Sequence, residues 1–199
     1  MSGTDTLPGP LDPAVFPVLR ERPALDLVNT RYRHRETTLD FLATPAHVET
    51  WAAAALPPGW SAIRSDEAGE LRELRDAARA VLHAVVEETP SPARDLAVVN
   101  RVASNAVFRR SVVEGEAGLV MRESAVQDDQ RTVLLLVLDF IDVVAGAPRR
   151  VAACARGRCS MFFMRTHHLR RYCTPSCAHL DRQQRYLQRT TPRHAPPRS

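Results

Sequence analysis

No lysine occurs in this chain: all 27 basic residues are arginine. A GC-rich coding sequence produces that bias as readily as a need for guanidinium forks does, so it carries little weight. Other absences exclude more. The first twenty residues show no basic start followed by an apolar stretch, so no signal peptide is expected. The longest apolar runs, 51–56 and 133–138, fall far short of a membrane span of about 20 residues. The expected compartment is therefore the cytosol. No Cys-x-x-Cys, Ser-His-Asp set, phosphate loop or metalloprotease motif occurs, which leaves no familiar enzyme class and makes an enzyme the less favoured expectation. There is no internal repeat and no long low-complexity segment.

What is present is an ordinary globular composition, 44% hydrophobic and 25% charged over 199 residues. That length allows one domain or two small ones. The net charge of +4 hides a division. Residues 149–199 hold twelve Arg and one acid, Asp181, a net +11; residues 1–148 carry −7. A mildly acidic body with a basic tail points to a polyanionic partner, nucleic acid before membrane surface.

Residues 1–23, with five prolines, read as irregular. A short helix is expected over 24–31. Thr44-Pro45 supplies a hydroxyl cap and a first-turn proline for a helix that stops at Pro57-Pro58-Gly59. Ser65 should cap a long helix over 66–88, where Leu71, Leu74, Ala78, Val81, Leu82 and Val85 keep the 3.6-residue period. Ser91-Pro92 opens another helix. Residues 107–113 and 119–122 flank Glu-Gly-Glu-Ala-Gly and predict a β-hairpin. The most apolar segment, 124–145, should be the central core helix, ended by Gly146 and Pro148 at a domain boundary. The fold class is mostly α: a helical domain with a β-hairpin over 24–147, a small module over 149–190, and a disordered tail over 191–199.

All four cysteines fall in that module, as Cys154-x4-Cys159-x13-Cys173-x3-Cys177. Two close pairs on either side of a short loop are the usual layout of a tetrahedral four-thiolate zinc site. Gly157 gives the first pair backbone freedom. Thr174-Pro175 should cap and open a helix, placing Cys177 in its first turn, where the dipole favours thiolate. A knuckle plus a helix N-terminus is a treble-clef-like module. Four thiolates close the coordination sphere, so the ion would be structural. Two disulfides and an iron–sulfur cluster are the other readings of four cysteines. His167, His168, His179 and His194 lie nearby, with His179 the candidate to replace a cysteine.

The helix should run on to about residue 189, with Arg182, Arg185 and Arg189 on one face. Leu180, Gln184 and Leu187 lie opposite and should dock on the module. With Arg165, Arg170 and Arg171 from the loop, these arginines form a candidate nucleic-acid surface. In the body, Asn29, Arg31, Arg33, His34 and Arg35 make a polar cluster suited to an anionic ligand.

Leu25-Asp26-Leu27-Val28-Asn29-Thr30, then Leu42-Ala43-Thr44-Pro45 and Trp51, resemble the opening of the ABATE domain. The cysteines, Phe162 and Arg170-Arg171-Tyr172-Cys173 resemble the CGNR zinc finger that follows that domain in its family. The resemblance covers roughly residues 20–190. It implies a bacterial transcription regulator that binds double-stranded DNA, with zinc on Cys154, Cys159, Cys173 and Cys177. A ligand-sensing or homodimerising helical domain would complete it. The fourth ligand is followed by Ala178-His179-Leu180 rather than Gly-Asn-Arg, and Tyr172 stands where Trp is usual. A second reading, from another class, is a biosynthetic enzyme or a protein binding haem or a second metal, with His34, His167, His168 and His179 as candidate ligands. A third is an adaptor for an acidic protein.

Overall fold

A computed structural model describes residues 18–34, 37–60, 62–105, 108–115, 118–125 and 131–190, with backbone alone for 34, 37, 65 and 108–125. The readings of an irregular N-terminus before residue 18 and a disordered tail after residue 190 lie outside the described residues.

The chain is mostly helical, with small antiparallel hairpins. Helix α1 (Pro23–Asn29) opens on a proline. It is tied to the core helix by Asp139, whose carboxylate accepts the Ala24 N–H at 2.9 Å and pairs with Arg22 at 2.6 Å. The helix stops two residues short of the expected end, because Arg31 enters a hairpin the sequence did not announce. Its strands are β1 (Arg31–His34) and β2 (Thr37–Asp40), paired Arg31↔Asp40 through His34↔Thr37. Helix α2 (Pro45–Ala55) begins as expected: the Thr44 hydroxyl accepts the His47 N–H at 3.2 Å.

Ser65 does not cap the long helix. Residues Ser65–Glu67 form a 3-10 turn, and α3 (Ala68–Glu87) follows. The turn is held by Glu67, whose carboxylate accepts the Arg64 N–H at 2.6 Å. Helix α4 (Ala93–Ser104) packs on α3 through Val99 and Val102. Strands β3 (Phe108–Gly115) and β4 (Gly118–Ala125) form the expected hairpin. The core helix starts later than expected, since Ser124 and Ala125 belong to β4. Helix α5 (Arg131–Ile141) buries Val133, Leu134, Leu136, Val137 and Phe140, and a π-helical turn (Asp142–Gly146) ends it at the expected glycine.

The chain then makes β5 (Val151–Ala153) and β6 (Phe162–Met164), an antiparallel pair, and finishes in α6 (Pro175–Thr190). The hairpin has two dry faces. Val151 and Phe162 join the main core with α1, α3 and α5. Ala152 and Phe163 point the other way and form a second core with Met161 and the four cysteines. Period-two alternation thus lets one short hairpin serve two cores, with Ala153 alone of its strand residues exposed. Among the described residues, no helix is long and apolar enough to cross a membrane.

Two buried polar groups fix the body. Arg75 is 2% exposed and forks onto Asp40, pinning the end of β2 to α3. Burial pushes the Asp40 carboxyl up, but the Arg75 contacts outweigh it and hold it below its ordinary value. Asp26, 1% exposed, accepts the N–H groups of Leu19 and Arg20 at 2.7 and 2.9 Å. Burial still dominates and raises its carboxyl to about 6. A folded pKa above the unfolded one means the folded state holds the proton more tightly. This contribution is fully present below pH 4 and is lost as pH rises through 6. The wild type should therefore lose about 2 kcal/mol relative to Asp26→Asn between pH 4 and pH 7, measured by urea unfolding at both. Parallel curves for the two proteins would refute it.

Candidate metal centre and its basic surroundings

Each cysteine is placed by local backbone logic. Cys154 follows β5 and Cys159 precedes β6, so the first pair closes the hairpin. The Cys154 N–H donates to Met161 O at 2.9 Å, and the Cys159 N–H to Arg156 O at 2.8 Å. The second pair sits where Thr174-Pro175 starts α6. The Thr174 hydroxyl accepts the Cys177 N–H at 3.2 Å, so Cys177 lies in the first helical turn. This is the treble-clef arrangement, and it follows the spacing closely.

All four cysteines are buried, unpaired by disulfides, and have Sγ atoms within 4.8 Å of one another. Cys173 Sγ lies 3.7 Å from Cys159 Sγ and 3.6 Å from Cys177 Sγ. Four sulfurs at a zinc–thiolate distance of about 2.3 Å stand about 3.8 Å apart around a tetrahedral ion, so the donor set fits one such ion. Hydrogen bonds from Cys159 and Cys173 hold Cys154 down at about 2, and the bond to Cys154 pushes Cys159 up to about 12. Cys173 is raised as well, by its bonds to both neighbours. The Cys173 N–H also points at Cys154 Sγ, at 3.5 Å. A dication is the group that would let all four thiols ionise. His167, His168 and His179 are exposed. Among the described residues, no second group of three or more metal-ligating side chains occurs.

The arginines separate into two kinds. Arg170, expected on the nucleic-acid surface, is structural instead. Its guanidinium donates to Met164 O at 3.0 Å and Cys173 O at 2.7 Å, and pairs with Glu21 at 2.6 Å. It also stacks 4.7 Å from the Phe163 ring centre. Only a side chain with a planar fork can reach that many acceptors at once. Arg165, Arg171, Arg182 and Arg189 are exposed. Arg182, Arg185 and Arg189 line one shallow groove with Tyr186, as the helical period required. Arg185 pairs with Asp181 at 2.8 Å and donates to the Tyr172 hydroxyl at 3.2 Å; that hydroxyl in turn donates to Asp181 at 2.8 Å. The opposite face does not dock as expected. Leu180 is 40% and Leu187 56% exposed, and Cys177 is the helix's buried residue. The module is too small to cover more than the first turn, so α6 projects for most of its length of about 24 Å.

Of the expected ligand cluster, Asn29 has a different task from anion binding. It is fully buried, its amide donates to Phe162 O at 2.9 Å, and its carbonyl accepts the Phe162 N–H at 2.9 Å. Arg31 is half-exposed and 3.4 Å from Asp76. The side chain of His34, and Arg35, lie outside the described residues. Arg79 was missed by the sequence reading. The spacing Arg75, Arg79, His83 along α3 could have found it, since the three share one stripe beside the apolar face.

Residues 21–147 match the model of the ABATE family, described as "Putative stress-induced transcription regulator". The chain belongs to the ABATE family. No curated protein is similar enough to count as a match. The ABATE segment ends at the π-helical turn after α5, just before the cysteine hairpin. Its motif residue Asn29 is the group that grips that hairpin, and its motif residue Asp26 anchors the approach to α1.

Asn29→Ala would leave the Phe162 N–H and C=O buried without partners, and should cost about 3 kcal/mol in chemical denaturation. A loss under about 0.5 kcal/mol would show that the clamp is dispensable.

Proposed function

We propose that this ABATE protein is a DNA-binding transcription regulator whose cysteine module is held by one structural zinc ion. The body over 24–147 would act as a ligand-sensing or dimerising unit, the module over 149–190 as the nucleic-acid module, and the cytoplasm as their compartment. One observation carries the reading: an exposed helix with arginines along one face is rooted, through Cys177, in a four-cysteine centre. A closed thiolate site leaves no position for substrate, so its contribution is to fold the module and aim the helix. The family's description as a transcription regulator supports the same reading.

The DNA face comprises Arg165, Arg171, Arg182, Arg185 and Arg189, with Arg170 withdrawn to the interior. Five phosphate contacts predict a slope of about −4.5 for log affinity against log salt on duplex DNA. Arg182→Glu/Arg185→Glu/Arg189→Glu should abolish measurable duplex binding while far-UV circular dichroism stays unchanged. Fluorescence anisotropy on a labelled duplex reads both, and unchanged binding by that variant would overturn the assignment. Elemental analysis should find one zinc per chain, lost in Cys173→Ser together with the folded module. A metal-free native protein with full DNA affinity would refute the zinc.

A further inference from the structure

A cleft of about 360 Å³ opens where the ABATE segment meets the cysteine hairpin. Arg31, Arg33, Thr38, Arg79 and His83 line it from the body, and Ala153, Cys159, Ser160 and Phe162 from the hairpin. Among the described residues, no carboxylate lines it. Among the described residues, neither Arg33 nor Arg79 forms an ion pair, and Asp76 is shared between Arg31 at 3.4 Å and Arg75 at 2.9 Å, while Asp40, forked by Arg75, and Glu87 act on the cleft's rim from further off. Three guanidiniums thus line one space, and Arg31 alone of the three forms an ion pair among the described residues.

Arg79 and Arg33 are held in place by neutral acceptors. Arg79 donates to Val28 O at 3.3 Å and Ser160 O at 3.0 Å, and lies 5.4 Å from the Phe162 ring centre. Arg33 donates to Gly157 O at 3.0 Å. Each keeps further N–H donors, since a guanidinium has five. Ser160 Oγ accepts the Arg33 backbone N–H at 2.8 Å, so its own proton can go to another acceptor. Burial and the charges of Arg31, Arg75 and Arg33 press on Arg79 and outweigh the opposing charge of Asp76. An anion in the cleft would relieve that crowding. A carboxylate needs one fork; three converging forks and a hydroxyl match the three oxygens of a phosphate monoester better. Phe162, Ala153 and the edge of His83, which meets Phe162 at 4.9 Å, offer an apolar wall for an organic body.

We propose that this cleft binds a small phosphorylated metabolite, with Arg31, Arg33 and Arg79 on the phosphate and Phe162 against its organic part. The proposal names the ligand class for the sensing role suggested above and does not depend on DNA binding. Both walls would be engaged at once, so occupancy would brace the hairpin against the body.

The test is calorimetric titration of the full-length, zinc-loaded protein at constant ionic strength with inorganic phosphate, phenyl phosphate and benzoate. Phosphate should bind saturably at one site per chain, phenyl phosphate more tightly, and benzoate at least about tenfold more weakly than phenyl phosphate. Arg31→Gln/Arg33→Gln should weaken both phosphates at least about tenfold with zinc content and circular dichroism unchanged; should that pair unfold, the half-exposed Arg31→Gln is read instead. Arg182→Glu/Arg185→Glu/Arg189→Glu should leave phosphate binding intact even when it loses DNA, which separates this site from the DNA face. Absence of saturable phosphate binding, undiminished binding by the cleft variants, or displacement of phosphate by duplex DNA in direct competition would each overturn it.

Discussion

Everything in the C-terminal quarter depends on how one three-residue strand is held along its outer edge. Strand β6 has β5 on one side alone. On the other, the N–H and C=O of Phe162 pair with the amide of Asn29, and the Met164 N–H donates to Glu21 at 2.8 Å. Two side chains from the ABATE segment thus complete the ladder where a third strand would otherwise run. An unpaired edge is an invitation to foreign strands, and buried orphan backbone groups cost about 1–3 kcal/mol each. With the edge closed in this way, the alternation Phe162 in, Phe163 out is fixed, and a slip of one residue would exchange the contents of two cores.

The same strand explains why the basic charge cannot be read as a single surface. Arg79 lies over Phe162 and Arg170 over Phe163, so each face of β6 carries one guanidinium against its ring. Neither is available to a partner on the exposed tail. What remains outside is the set on α6 and the loop, and Asp181, the tail's lone acid, already offsets Arg185. The net charge of the segment therefore overstates what α6 presents to a polyanion. It also conceals the cationic cleft, which belongs half to the body that the sequence counts as acidic.

Much of this was legible, and the boundary of what was legible is physical. Thr44-Pro45 and Thr174-Pro175 announce their helices because capping is local chemistry. The cysteine spacing gives the centre because two tight chelating turns need only the chain between them. Ser65 misled because Glu67 satisfies the same turn from two residues further on. Strands β5 and β6 are too short for any period to register, and β1–β2 is polar enough to read as a loop until Arg75 pins Asp40 from α3. The roles of Asn29 and Arg170 could not be read from spacing, because the partners that define them, Phe162 and Glu21, lie 133 and 149 positions away. The helical period of α6 was right, but periodicity cannot say whether there is a surface for the apolar side to meet.

At two positions of this fold arginine does what lysine could not. At Arg170 one flat group must stack on a ring, ion-pair with Glu21 and reach backbone carbonyls in β6 and beside Cys173. At Arg79 another must span Val28 O and Ser160 O while facing a cleft. An ammonium is a point charge with three donors and no planar face, so Lys in either place would lose the stacking and some of the carbonyl contacts. Whatever the origin of the arginine-only composition, this fold uses two of those residues as crosslinks between its two cores. Arg170 joins Glu21 in the approach to α1 to the carbonyl of Cys173, and Arg79 joins Val28 in α1 to Ser160 beside Cys159. The path from the body to the metal centre runs through guanidinium groups on both faces of β6, and the orientation of α6 at the end of it is inherited from them.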